Sequence, residues 1–525
     1  MKKDVIVIGG GCAGMVAALE AEREGAEVIL VDRGPIGIGT NSALAGGIFA
    51  GATPRYSPEQ HIKDTLETGR GINRQRLLQL AAEQASEAFS FLRSSGVEFT
   101  ESRRGYRVKS SRPGLIPGVT LVKILAEKIR PLGRVQIVSG LYITEILRDK
   151  EKAYGVTGFD GSGEILRLFA PAIILATGGA GALYRRNDNQ KGIMGQGYHL
   201  AAKAGLELWD MEFVQSVPLV IAEPSLASLT VRSPRPPQAK LINAKGEDLL
   251  KKYDIGDIDE ATVTRRDEFS AILYREGLQG PVYMDYREVP GSLWKKHPLN
   301  ILEKMHYDFR RKPFQVSPAV HFFMGGVWTD EGGQTSLPGL FACGEVAWGF
   351  HGANRMAGNA LTECVVFGRI TARNAVRYAL AHRLPSSFPK GTSEDISRGV
   401  SPVRGQLKEL RQQLRETAWR HAGLVRSKKQ LNKGLGTLAE LENELNRVMP
   451  QTVSDRRLKE ELTSAAFVLR AVLTASLPRN ETRGAFILDD ISERDDRNWR
   501  KNSCLTYDSE QDVFMCSHYP PNAPR

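Results

Sequence analysis

Gly9, Gly11 and Gly14, with an aspartate at position 32, are the residues whose types and spacing speak most directly of chemistry. They stand in the segment DVIVIGGGCAGMVAALEAEREGAEVILVDR, residues 4–33. In a GxGxxG turn the first glycine allows the tight bend and the second lets a pyrophosphate approach the backbone. The third lets helix and strand pack closely. Free N–H groups at the helix N-terminus face the phosphates, and an acid beyond the next strand accepts from a ribose hydroxyl. Asp32 is placed for that role, so the chemistry indicated is dinucleotide binding. The elements that must hold these residues follow from the same stretch. The apolar run from Val5 to Ile8 predicts a strand, the segment around Gly14 a helix, and the second apolar run ending on Asp32 another strand. A glycine turn in an ordinary βαβ unit is the plain alternative, and the agreement of strand, helix, spacing and acid speaks against it. Cys12, inside the turn, reads as a small packing side chain.

At 525 residues the chain is too long for one core and predicts two or three domains. Its 41% hydrophobic and 25% charged content is that of a soluble globular protein. No uncharged apolar run reaches the roughly 18 residues of a membrane span. The first strand begins within a few residues of Met1, which leaves no room for a secretory signal. The five cysteines, at 12, 343, 364, 504 and 516, include no CxxC pair. That usage predicts a reducing cytoplasm and no metal or cluster site of the chain's own. The net charge of +11 is densest after residue 400 and lacks aromatic interleaving, which argues against nucleic acid. Solvated helix faces, an acidic partner protein or anionic substrates account for it more simply.

A second strand-and-glycine signature, AIILATGGAG, occupies 172–181, after β-rich stretches at 135–147 and 152–160. Residues 216–319 change character, with Pro-rich connections, charged helices and short strands, as suits an inserted domain. LPGLFACGEV at 337–346 reads as a strand returning to the first fold, and 359–378 as a helix. After a polar linker near 386–400, Leu407, Leu410, Leu414 and Trp419 recur at helical spacing. The tail is charged and reads as irregular.

The block PAVHFFMGGVWTDEGGQTSLPGLFACGEVAWGFHGANRMAGNALTECVVFGRITA, residues 318–372, resembles one family: the flavoprotein subunits of succinate dehydrogenase and fumarate reductase, with L-aspartate oxidase. Supporting blocks are NSALAGGIFA (41–50), MGQGYHLAAKAGLELWDMEFVQ (194–215), RRDEFSAIL (265–273), LRETAWRHAGLVRS (414–427) and SLPRNETRGAF (476–486). The resemblance implies an α/β fold with an α+β cap. A Rossmann-like FAD-binding domain would take 1–215 plus 320–385, a capping domain 216–319, and a C-terminal helical domain with an irregular tail 395–525. Carried over, Gly9, Gly11 and Gly14 hold the FAD pyrophosphate and Asp32 the adenosine ribose. Thr40, Asn41, Gly46 and Gly47 pass beside the isoalloxazine, and Glu345, Asn359, Ala360 and Leu361 serve the ribityl and pyrimidine end. Gln196 stands where the family often has Asp. Thr40 occupies the position of the histidine that bonds FAD covalently in membrane-linked members, so the cofactor is expected to be non-covalent.

The same resemblance gives Arg266 as proton shuttle and His321 and Arg355 as carboxylate ligands, with His351 shaping the loop. Hydride transfer next to a carboxylate needs such a set: a proton donor opposite the flavin and fixed positive charge on the carboxylate. A guanidinium grips a carboxylate through two parallel N–H bonds. Read without the family, the plainer readings prevail: His321 as a satisfied core histidine and Arg266 as a surface charge at a helix start. The family's Gln-Phe-His-Pro-Thr is here Gln215-Ser216-Val217-Pro218-Leu219, and its Thr-Glu-Gly-x-Arg-Gly-Glu loop has become Thr230 to Pro237, without glutamates. Ser102 to Tyr106 replace the loop that carries a glutamate in aspartate oxidase. The expected activity is interconversion of a C–C single and double bond beside one carboxylate, with Val217 and Leu219 forming an apolar wall, on a substrate other than succinate, fumarate or aspartate. Asp267 or Glu268 would link Arg266 to solvent. Electrons would pass to a separate protein, such as an iron–sulfur subunit, a diffusible donor, a quinone or oxygen. The location would be cytoplasmic, with any membrane association through a partner subunit. An electron-transferring subunit, an adenylylsulfate reductase-like enzyme and an aspartate oxidase-like oxidase are the alternatives.

Overall fold

The computed structural model describes residues 1–224, 231, 238–295, 299–382, 384 and 403–523. A five-stranded parallel sheet runs in the order Leu340–Ala342, Ala172–Leu175, Val5–Ile8, Val28–Asp32, Val135–Ser139. Residues 340–342, 172–175, 5–8 and 28–31 are unbroken apolar runs because both faces are covered, whereas the edge strand Val135–Ser139 is partly exposed and mixed. Val5 and Val7 pack under the helices Cys12–Arg23 and Asn359–Ala381. Ile6 and Ile8 point the other way, into a core shared with the antiparallel strands Tyr142–Arg148, Ala153–Phe159 and Ile165–Phe169.

A second, antiparallel sheet runs Val214–Ile221, Phe314–Phe323, Val282–Asp285, Lys240–Ile242. Together with the helix Arg266–Gln279 it closes a separate core around Leu219, Leu241, Phe269, Leu273 and Phe314. Its two long strands run through positions 215/216 and 319/320, so the cap and the parallel-sheet body share continuous strands.

Helices Val403–His421, Lys428–Arg447 and Val453–Ser476 bury the leucines expected at helical spacing, including Leu407, Leu410 and Leu414. The expectation of an irregular tail is overturned. Asn502–Asp508 and Val513–Tyr519 form a hairpin that extends the short strands Leu208–Trp209 and Gly326–Val327. Tyr507 and Phe514 pack against Phe467 with ring centroids 4.9 and 4.8 Å away. The first strand buries Asn502, Ser503, Cys504 and Leu505, two of them polar, and the second buries no residue fully, so the segment carries no strong apolar signature. Among the described residues no helix is long and apolar enough to cross a membrane.

Candidate active site

The strand Val5–Ile8 ends on Gly9, whose φ of 116° suits glycine. A Cβ on Gly9 would meet the Ala176 carbonyl oxygen at 2.2 Å, and one on Gly14 the Gly9 carbonyl oxygen at 1.8 Å, so both are packing glycines. Gly11 differs: the nearest atom to a Cβ there is Ser42 Oγ at 3.4 Å, and the space above the backbone is open to a ligand. Ser42 Oγ accepts from the Cys12 N–H at 3.0 Å, at the start of the helix. Asp32 accepts from the Gly10 and Gly34 N–H groups at 2.6 and 2.8 Å. Burial pushes its carboxyl upward, opposed by those two bonds.

Gly9, Gly11, Asp32, Thr40, Asn41 and Glu345 line one continuous cleft, which Gln196 and Thr177 also border. A long cleft with an acid at the sheet end, an open glycine backbone and the half-buried Glu345 carboxyl beyond fits FAD. Gly14, Gly46, Gly47, Asn359, Ala360 and Leu361 are not in its lining. The Asn359 side chain is already engaged, accepting from His61 at 2.8 Å and donating to Thr65 Oγ1 at 3.0 Å. Leu361 is buried in the core under the parallel sheet. Gln196 donates to the Ile143 carbonyl at 2.5 Å, a structural bond in place of an acid's contact.

Glu345 is half-buried at the cleft wall and accepts from the Phe323 N–H at 3.1 Å, while desolvation lifts its carboxyl to about 7. A carboxyl raised on folding keeps a proton that the unfolded chain has released. The stability it contributes is therefore complete at low pH and lost as pH rises from 4.5 toward about 7. Urea midpoints of the Glu345→Gln apoprotein should accordingly fall less than those of the wild type between about pH 5 and 8.

Arg266 opens the helix Arg266–Gln279 and reaches the 351–356 loop. Its Nη2 donates to Asn354 Oδ1 at 2.9 Å and to the Arg355 carbonyl at 3.1 Å. Arg355 is buried beneath the Phe322 ring, with its guanidinium carbon 4.8 Å from the centroid. Burial, then the neighbouring Arg266, pushes it down to about 10. The Nε atoms of Arg266 and Arg355 are both buried without a hydrogen-bond partner among the described residues. Buried donors are normally satisfied, so two orphaned cationic N–H groups point to an anionic ligand. His321 stands on Phe314–Phe323 with Nδ1 at 2.9 Å from Asp188, its ring about one third exposed. His351 is spent on the buried Glu363 at 3.0 Å, in keeping with a loop-shaping role.

Asn354 is the hub that sequence reasoning missed. Its Oδ1 accepts from Arg266, from Gln215 Nε2 at 2.6 Å and from the Arg355 N–H at 3.0 Å, while its Nδ2 donates to Asp267. Its place beside Arg355 in the longest family-like block was the one signal available. Asp267 Oδ1 lies 3.8 Å from Arg266 Nε, whereas Glu268 is taken by Arg265 at the surface. Of the expected apolar wall, Val217 is half-buried, but Leu219 is buried in the cap core and accepts from the Val231 N–H at 2.9 Å. A register shift between Val217 and Val220 breaks the two-residue alternation that would have kept the pair on one face. Apart from Val231, the loop from Thr230 to Pro237 lies outside the described residues.

Residues 4–361 match the FAD binding domain family, and residues 411–521 match the fumarate reductase flavoprotein C-terminal family. The chain is 30% identical to L-aspartate oxidase of Streptomyces coelicolor, over 99% of its own length and 94% of the relative's. It is also 30% identical to one of the subunits of the fumarate reductase (CoM/CoB) of Methanothermobacter marburgensis, over 93% and 94%. Its fold superposes on FrdA of E. coli quinol fumarate reductase with a TM-score of 0.84 at 24% identity, covering 100% of this chain and 97% of that one. The cleft, the convergent arginines and these matches lead to one assignment: the chain is an FAD-dependent oxidoreductase belonging to the fumarate reductase, succinate dehydrogenase and L-aspartate oxidase flavoprotein family.

Proposed function

We propose that the protein exchanges two hydrogens across the C–C bond next to a substrate carboxylate, and that this substrate carries a single carboxylate and a less polar remainder. The observation that carries the reading is the pair of orphaned guanidinium Nε atoms, on Arg266 and Arg355, joined through Asn354. FAD, when bound, supplies the hydride donor or acceptor. Arg355 and His321 hold the carboxylate and offset charge as it develops. Arg266 delivers or removes the proton, and Asp267, about one fifth exposed, connects it to solvent in place of the family's loop glutamates.

Val217 supports the single-carboxylate reading. A second carboxylate buried beside it without a partner costs roughly 2–5 kcal/mol. With reduced viologen as donor, a simple monocarboxylate enoate such as crotonate or cinnamate should show kcat/KM about 30-fold or more above fumarate. Equal or better turnover of fumarate overturns the substrate assignment.

Thr40 Oγ1 donates to the Gly37 carbonyl at 3.1 Å, and a threonine offers no imidazole to bond the flavin. Acid precipitation should therefore release all the FAD into the supernatant, and colour remaining in the pellet would contradict non-covalent binding. A separate electron carrier, such as an iron–sulfur subunit in the cytoplasm, is supported by two observations. The methanogen relative is one component of a multi-subunit fumarate reductase, and this chain lacks CxxC motifs. The likeness to L-aspartate oxidase favours a second reading, an oxidase, which rapid reoxidation of the reduced flavin by air would establish.

A further inference from the structure

We propose that Asp188 is a positioning residue for His321, fixing the ring so that Nδ1 carries a proton and Nε2 faces the substrate. The inference rests on the carboxylate-binding role of His321 given above. Both Asp188 oxygens approach Nδ1, at 3.0 and 2.9 Å. A ring nitrogen held against a carboxylate must be the protonated one, which leaves Nε2 to meet the ligand. Nε2 has no hydrogen-bond partner among the described residues, and it lies on a ring about one third exposed. With both nitrogens protonated, the ring donates Nε2–H to an anion while Asp188 offsets its charge.

The segment that carries Asp188 is built against the strand that carries His321. The Asp188 N–H donates to the Val320 carbonyl at 3.2 Å, and the Val320 N–H to the Arg186 carbonyl at 2.9 Å. Asn189 Nδ2 donates to the His321 carbonyl at 3.2 Å, and Asn189 Oδ1 accepts from Asn41 at 2.6 Å. Asn41 lines the FAD cleft, so one short segment ties the cofactor wall to the carboxylate clamp. An acid locked to a site histidine from both sides is a device for orientation, as in other carboxylate–histidine pairs.

The test uses the full-length holoenzyme labelled with 15N-histidine, with His321→Gln to assign the signal. Long-range proton–nitrogen spectra should show His321 protonated at Nδ1 in the wild type and in Asp188→Glu, and shifted toward Nε2–H in Asp188→Asn. In parallel, crotonate binding read from the flavin absorbance should weaken about tenfold or more in Asp188→Asn. It should weaken no further when Asp188→Asn is added to His321→Gln. An unchanged tautomer in Asp188→Asn, or additive losses in the double variant, overturns the proposal. If crotonate fails to bind the wild type, it is the proposed function that falls, and the tautomer still decides the role of Asp188.

Discussion

Replacing Arg266 with glutamine is expected to cut turnover of an accepted acid by about 10²- to 10⁴-fold, the range of a lost general acid, while the flavin stays bound. The expectation follows from where Arg266 sits. It lies outside the glycine-lined cleft and spends one arm on Asn354 and the Arg355 carbonyl, leaving Nε unpaired toward Asp267. Glutamine keeps a donor for Asn354 but cannot carry the proton. Lysine keeps the charge yet loses the planar fork that reaches two acceptors, so Arg266→Lys should recover little. Asp267→Asn should act in the same direction and more weakly, because the guanidinium remains. Stopped-flow reoxidation by an enoate, against dithionite reduction as a control without this proton step, separates chemistry from folding. Full activity in Arg266→Gln with normal flavin content would remove Arg266 from the mechanism.

The largest expected effect on stability comes from Arg479→Met, at about 3–5 kcal/mol, the cost of breaking a buried ion pair from one side. Arg479, Glu212 and Glu481 have fully buried side chains. Arg479 donates to Glu212 and Glu481 at 2.8 Å each, and to the Trp499 and Lys501 carbonyls at 3.1 and 2.8 Å. Methionine fills much of the space but leaves Glu212 without its cation and two carbonyls without a donor, while Glu481 keeps Arg483 at 2.6 Å. The same network fastens the C-terminal hairpin: Ser503 donates to Glu212 at 2.6 Å and Asn502 to Asp210 at 2.6 Å. Burial, with Glu212 adding to it, lifts Asp210 to about 7. Glu212 stands just before the strand that carries Gln215 and Val217, so loosening the tail also loosens one wall of the candidate site. Urea unfolding and tryptic release of the tail measure the effect. The exposed pair Arg275–Asp489 provides the control, since Arg275→Ala should move stability by no more than about 1 kcal/mol. Equal effects from the two variants would show that the buried network adds nothing.

The parallel sheet and its glycine turn were legible because their signals are local. Strands buried on both faces must be apolar throughout, and Gly9, Gly11, Gly14 and Asp32 fall within one βαβ unit. The helical leucines after residue 400 were legible for the same reason. The candidate site was legible only as separate residues. Arg266 meets Asn354 across 88 positions and His321 meets Asp188 across 133, and no spacing rule connects such pairs. Asn354, Gln215 and Asp188 lack any motif of their own and matter through what surrounds them. Leu219 was misplaced because a bulge, which leaves no mark in the sequence, reverses the facing of the residues that follow it. The tail was missed because its strands combine buried polar anchors, Asn502 and Ser503 on Asp210 and Glu212, with only two buried apolar residues, Cys504 and Leu505.

C–C chemistry beside a carboxylate is tested most sharply by a single turnover in deuterated water. Photoreduced, air-free enzyme is mixed with crotonate, cinnamate and fumarate in turn, and flavin absorbance and product mass are followed. The expected outcome is rapid return of the oxidised flavin spectrum with a monocarboxylate enoate, and a saturated product carrying one carbon-bound deuterium on each of two adjacent carbons. A flavin that stays reduced with every acid, yet reoxidises with adenylylsulfate or protein acceptors, would rule that chemistry out.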